Sequence, residues 1–387
     1  MAEQHFDTYV EELLLTMENV PPEGIRKQAY QGMAIYENYV VQCYNRGYVN
    51  VYDLNGADAG SPIGVFKLAS YHDGSEEMRP VGEQWEAAFY TNHCNQVMFG
   101  ASKWDERDPF PLLYVTTGKK GWKTKDGSYI AKCAVERILY DEERRQWTSQ
   151  LVQTIEYNDC EYVDEGCGKD GMVTIKNGKF VYCDREHWNN TEKYEVPCWG
   201  WPASFVDSNP TEATKGKFYL FGARFCTSYA AIGVTSSGDY SKVIEQFDNA
   251  KHNNYIITQF SLPELPRTEA EFGKTVTLTP ADIENQFATE YDIDGTQGGT
   301  MYKGRIYYSF GFGAQPEDEL FLRKRNGIQV FDIEKEKIVA KFELWRDSIM
   351  RTKEPECCAV YQGKLALNYN TGETNLWVLD GIIESER

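Results

Sequence analysis

A chain of 387 residues with a formal net charge of −19 presents an acidic surface. Such a surface repels phosphate backbones and anionic headgroups, which excludes nucleic acid and membrane surfaces as expected partners. Hydrophobic residues make up 41 % and charged residues 26 %, the balance of a globular protein, and no apolar run reaches the ~18 residues needed to span a bilayer.

Aromatic residues form 14 % of the chain, with 26 Tyr, 19 Phe and 9 Trp. Rings pack well on pleated, half-buried surfaces, so this composition favours strands over helices. With Met1 as the native start, MAEQHFDTYVEELLL places no basic stretch ahead of an apolar one. The expectation is a cytoplasmic protein without a signal peptide. Residues 12–20 (ELLLTMENV) then read as a strand or as a short amphipathic helix.

A unit follows at 31–54: Gln31-Gly32, an apolar strand, a turn at Tyr36-Glu37-Asn38, a second strand, and a third ending Val51-Tyr52-Asp53-Leu54. A less regular unit covers about 89–157. The stretch 170–265 holds Lys176-Asn177-Gly178-Lys179, an Asn-Gly hairpin turn of the type that needs positive φ, but it is too long for one unit. An inserted subregion at about 185–250 accounts for the excess, with the strand pair KFYLFGARF and YAAIGVTSS. Helical signal is thin: residues 237–250 and 279–288 each open on a capping-type residue.

The unit recurs at Gln297-Gly298, turns at Tyr302-Lys303-Gly304-Arg305, and ends Val330-Phe331-Asp332-Ile333. The last copy opens at Glu354-Pro355-Glu356, turns at Gln362-Gly363-Lys364 and closes on Trp377-Val378-Leu379-Asp380. Strand–turn–strand units repeating every 40 or more residues are the mark of propeller blades, which bury their faces only by stacking on neighbours. The expected fold is therefore an all-β single domain spanning 1–387, a β-propeller of five blades, with six as the alternative. The last copy supplies three strands, so 12–20 is expected to add the fourth and close the ring, because an open ring leaves sheet edges unpaired.

The positions Gln31-Gly32, His93-Cys94-Asn95, Asp170-Gly171, Gln297-Gly298 and Glu356 carry a resemblance. The chain resembles bacterial and phage propellers, in particular the five-bladed receptor-binding propellers of phage tails and related wall-associated proteins. In that group Gln-Gly and His-x-Asn elements open successive blades near the central channel. The group's His-x-Asn continues with an acid, whereas Gln96 stands here. The resemblance implies a ligand-binding role for Gln31, His93, Asn95, Asp170, Gln297 and Glu356 at the channel mouth.

Read as residues, Gln31, His93, Asp170, Gln297 and Glu356 form a polar ring that either receives a ligand or satisfies loop backbone and channel water. His93 is the candidate for acid–base work, since its imidazole titrates near neutrality. Trp199 and Trp201, with Trp188 and Trp104, offer a stacking platform for sugar rings or else cap a small core. Asp292 and Asp294 precede Gly295 as in calcium loops, but the rest of the twelve-residue pattern is missing, so calcium stays an open cofactor and no metal ligands are assigned. The ten Cys sit mainly in strand-like runs as small apolar residues; Cys160 and Cys167, in a polar loop, leave a disulfide or a metal open. Arg323-Lys324-Arg325 reads as a solvated loop.

Two functions follow from these residues. The first is a binder of a small molecule, carbohydrate or protein on one face or at the channel. The alternative is a hydrolase or lyase with His93 as base, assisted by Asp170 or Glu356. The missing acid after Asn95 favours the binder.

Overall fold

A computed structural model describes residues 9–71, 79–81, 84–86, 94–116, 122–123, 129–158, 172–176, 179–183, 200–223, 254–290, 296–311, 327–344, 354–370 and 374–383. The strands are β1 (Val10–Met17), β2 (Tyr30–Tyr36), β3 (Tyr39–Tyr44), β4 (Tyr48–Asp53), β5 (Gly64–Lys67), β6 (Arg79–Val81), β7 (Gln84–Glu86), β8 (Gln96–Phe99) and β9 (Leu113–Thr116). They continue as β10 (Trp122–Lys123), β11 (Tyr129–Asp141), β12 (Gln146–Asn158), β13 (Met172–Lys176), β14 (Lys179–Cys183), β15 (Gly200–Phe205), β16 (Lys217–Ala223), β17 (Asn254–Ser261) and β18 (Lys274–Leu278). The last are β19 (Ile283–Glu290), β20 (Thr296–Tyr302), β21 (Arg305–Phe310), β22 (Gly327–Asp332), β23 (Lys337–Glu343), β24 (Glu354–Tyr361), β25 (Lys364–Asn370) and β26 (Thr374–Asp380).

Five sheets make a ring of blades. From the axis outward, blade 1 is β2-β3-β4-β5, blade 2 is β8-β9-β11-β12, blade 3 is β15-β16-β17-β19, blade 4 is β20-β21-β22-β23 and blade 5 is β24-β25-β26-β1. The chain is thus a five-bladed β-propeller, as its repeats predict. Residues 12–20 do supply the closing strand: β1 runs antiparallel to β26 from Val10↔Asp380 to Met17↔Thr374. Strand wins over helix because β26 would otherwise leave a row of backbone groups unpaired.

The hairpin turns follow their sequence. Lys303 (φ 50°) with Gly304 (φ 75°), and Gln362 (φ 49°) with Gly363 (φ 75°), take positive φ at both central positions, the geometry whose twist matches the flanking strands. Residues 279–288 depart from the expected helix. The capping signal there closes a single 3-10 turn, Pro280–Asp282, with Asp282 Oδ2 accepting from Thr279 N–H at 2.7 Å and from Thr279 Oγ1 at 2.8 Å. Pairing with β17 then draws Ile283–Glu290 into blade 3; a ladder shared with a neighbour outweighs weak local helix preference. Of the stretch 185–250, residues 200–223 contribute β15 and β16 to blade 3, and the remainder lies outside the described residues. Between β17 and β19 the chain also lends β18 to blade 2, parallel to β12.

Blade faces pack through apolar and aromatic side chains. Blades 1 and 2 share Val41, Val49, Val97, Leu113, Ala134 and Ile138, and blades 4 and 5 share Tyr307, Ile328, Val330, Leu365 and Leu367. The segment before β2 straps blade 1 through buried tyrosines: Tyr48 donates to Asn19 Oδ1 at 2.7 Å and Tyr52 to the Glu18 carbonyl at 2.6 Å.

Candidate functional site

Four inner strands begin with an irregular pairing: the register shifts between Tyr30 and Met33 in β2, Gly200 and Ala203 in β15, Thr296 and Gly299 in β20, and Pro355 and Cys357 in β24. Such bulges release backbone groups from the ladder. Polar side chains on the second strands take them up. Gln42 Nε2 donates to the Gln31 and Gly32 carbonyls, both at 3.1 Å. Ser309 Oγ donates to the Gly298 carbonyl at 2.9 Å. Asn368 Oδ1 accepts from the Cys357 N–H at 2.9 Å, while its Nδ2 crosses to the Gln31 carbonyl of blade 1 at 2.9 Å.

The same end of the ring binds blade to blade. Gly32 N–H donates to the Cys94 carbonyl at 2.7 Å. Gln96 makes a pair of bonds with Gly299 of blade 4, accepting its N–H at 2.7 Å and donating to its carbonyl at 2.9 Å, and reaches the Ser204 carbonyl of blade 3 at 3.1 Å. At the axis stands Cys357. Its Sγ lies 3.6 Å from the Met33 carbonyl, 3.8 Å from that of Val97 and 4.0 Å from that of Gly299, one from each of three other blades. The thiol thus touches three other blades at once. Burial pushes it up to about 11, and burial likewise raises the Cys43 and Cys358 thiols, so these sulfurs stay protonated and serve as packing rather than as nucleophiles.

Around this junction lie four of the residues singled out in sequence. Gln31, Asn95 and Glu356 are each 2 % exposed and Gln297 is 7 % exposed. Asn95 Nδ2 donates to the Gln297 carbonyl at 2.9 Å, and Gln297 Nε2 donates to the Gly311 carbonyl at 2.9 Å and to Glu354 Oε1 at 2.6 Å. Two acceptors remain: Gln31 Oε1 and Asn95 Oδ1 have no hydrogen-bond partner among the described residues. His93, Asp170, Trp199, Asp292 and Asp294 lie outside the described residues, and Trp201 falls in β15, of which the backbone is described there. Trp104, grouped with the other tryptophans in sequence, is engaged within the fold instead. Its Nε1 donates to the Pro266 carbonyl at 2.9 Å, and its ring meets Phe272 edge-on at 5.0 Å and carries the Arg137 guanidinium at 4.5 Å. Among the described residues no group of three His, Cys, Asp or Glu is placed to hold a metal ion.

One buried acid escaped the sequence reading. Glu136 lies on the face of β11 that carries Ala134 and Ile138, so a carboxylate at an apolar phase of the alternation was the available signal. Its Oε1 accepts from the Ser70 N–H at 2.7 Å, while Oε2 has no partner among the described residues. Burial raises its pKa above the ordinary 4.5, against the opposing pull of Ser70. The folded protein therefore holds this proton to higher pH than the unfolded chain. Its stabilising effect is complete below the unfolded pKa and is lost as pH rises through the folded one. Glu136→Gln keeps the Oε1 acceptor without the titration. Its urea midpoint is expected to gain on that of the parent as pH rises above the ordinary carboxylate range, and a constant difference over that rise would refute the assignment.

No family model matches the chain, and no curated protein does. Among solved structures it is similar to the glutaminyl cyclase of Myxococcus xanthus, at 10 % identity and a TM-score of 0.37, covering 96 % of this chain and 97 % of that one. It is also similar to the soluble aldose sugar dehydrogenase of Escherichia coli in its apo form, at 10 % identity and a TM-score of 0.38, covering 96 % and 99 %. Among the described residues no helix is long and apolar enough to cross a membrane.

Proposed function

We propose that this propeller is a binding module whose ligand, a carbohydrate, sits at the face where the inner strands begin. The observation that supports this reading is the pair of acceptors, Gln31 Oε1 and Asn95 Oδ1, buried without partners among the described residues at the openings of neighbouring blades. A buried acceptor left unpaired costs about 1–3 kcal/mol, and a hydroxyl-rich ligand offers the donors that recover it. Trp199 and Trp201 belong to the same reading as a platform on which the apolar face of a sugar ring stacks.

The test is a thermal-shift series against mono- and oligosaccharides, with calcium and EDTA as separate arms. A ligand that binds only the folded state, at a hundredfold excess over its Kd, raises the melting point by about 3 °C in a chain of this size. The rise is expected to disappear in Gln31→Met, which keeps the length of the side chain but not its acceptor, and in the Trp199→Ala/Trp201→Ala variant. A flat saccharide series would sink the proposal, and a rise with calcium alone would transfer attention to Asp292 and Asp294.

A further inference from the structure

Three of the bulges near the axis are served by a polar residue on the second strand of the same blade. Ser309 spends its hydroxyl on the Gly298 carbonyl, within blade 4. Gln42 spends its Nε2 on three carbonyls of blade 1, those of Gln31, Gly32 and Cys43. Asn368, on β25, meets the same local need with its Oδ1, which accepts the Cys357 N–H. Its Nδ2 then leaves the blade. The two hydrogens of that amide go to the Gln31 carbonyl and to Gln42 Oε1, both at 2.9 Å and both in blade 1, 337 and 326 positions away in the chain. Asn368 and Gln42 are fully buried.

The far end of this reach is the residue whose side-chain acceptor has no partner among the described residues, Gln31. The register shift between Tyr30 and Met33 takes Gln31 out of the ladder with β3, so side-chain bonds set where its peptide stands. A bulged residue held in this way has its side chain re-aimed. The Gln31 carbonyl takes one donor from Gln42 and one from Asn368. The next residue, Gly32, donates its N–H to the Cys94 carbonyl at 2.7 Å. A residue with a local duty alone would stop where Ser309 stops.

We propose that Asn368 is a positioning residue for the saccharide site, holding the Gln31 peptide so that Oε1 faces the ligand. The proposal rests on the carbohydrate reading and adds that the blade 1 part of the site is completed from blade 5. Asn368 itself touches no ligand. Loss of its Nδ2 donor lets the Gln31 peptide shift but leaves the chemistry of Oε1 intact, so affinity falls while the order of preference among sugars stays.

The experiment is calorimetric titration of the full chain with glucose, galactose, mannose, cellobiose and lactose, for the parent and three variants. Asn368→Ser withdraws the bond to Gln31 without adding a charge, and is expected to weaken binding about tenfold. Asn368→Asp keeps the acceptor for the Cys357 N–H but turns a second oxygen toward the Gln31 carbonyl and Gln42 Oε1. Burial favours the neutral form of that carboxyl, whose hydroxyl donates again, so the variant's Kd is expected to approach the parent's as pH falls. The neighbouring acids are common to both proteins, and the ratio of the two Kd values is therefore the quantity read. Ser309→Ala removes the matching local bond in blade 4; it should lower the urea midpoint and leave affinity unchanged. Unchanged affinity in both Asn368 variants, an equal loss in Ser309→Ala, or an Asn368→Asp ratio indifferent to pH would overturn the proposal and leave the carbohydrate reading standing. Binding of none of these sugars by the parent would sink both together.

Discussion

Gly298→Ala is expected to destabilise the protein by at least about 3 kcal/mol, whereas Gly216→Ala should cost about 1 kcal/mol. A β-carbon on Gly298 would lie 2.2 Å from the Asn95 carbonyl oxygen and 2.9 Å from both the Glu356 carbonyl oxygen and Cys357 Sγ. Two of these three atoms belong to backbones already tied to other strands, so neither can yield without opening the junction. Gly216 serves as the control, with φ +67° but nothing within 4 Å of an added β-carbon; its substitution samples the backbone strain alone. The difference between the two variants in urea midpoint is the measurement. Equal losses would show that the inner strands tolerate a wider spacing and that the axis is looser than described.

Gln96→Met should be nearly as damaging, at about 3–5 kcal/mol. Methionine matches the length of glutamine and fills the same space, so packing changes little. What disappears is the double hydrogen bond to the Gly299 N–H and carbonyl and the third bond to the Ser204 carbonyl. Those groups are buried at the meeting of three blades and have no route to water. Chemical denaturation with an unchanged slope and a midpoint lowered by that amount is the expected result. A loss below ~1 kcal/mol would mean that other donors replace Gln96.

Much of this architecture was written in local patterns. The turns at Lys303-Gly304 and Gln362-Gly363 take positive φ, which few residue types accept, and the repeated Gln-Gly marks the point where β2 and β20 leave their ladders and approach a neighbouring blade too closely for a β-carbon. Harder to read were the residues that make the junction work. Gln42, Ser309 and Asn368 are polar residues inside apolar strands, as in YVVQCY, IYYSF and LALNY. Their signal is an interruption whose meaning depends on bulges in the partner strand, and a bulge has no reliable local code. The segment 279–288 misled for the opposite reason: its capping residues were real but sufficed for one turn, and the pairing with β17 is a long-range fact. Glu136 and the Arg137 pair with Asp108, at 2.7 Å, are likewise visible only once distant strands and loops meet. Of the candidate site, the polar openings of the blades were legible as positions, but which of their atoms are already engaged required the fold.

The pairing of β1 with β26 also orders events in time. Thr16 bonds Asn375, a residue 359 positions later in the chain. At roughly 5–20 residues per second, a ribosome takes on the order of 20 to 70 seconds to make that partner after β1 has emerged. Through that interval β1 lacks its partner β26, with Leu13, Leu14 and Leu15 in an extended-prone segment, while blades 1 to 4 can already assemble. The ring closes only when the last strand of blade 5 is released. A chain cut short anywhere before residue 374 therefore keeps β1 unpaired, an apolar edge that gives a cell's chaperones and proteases a ready mark for unfinished copies.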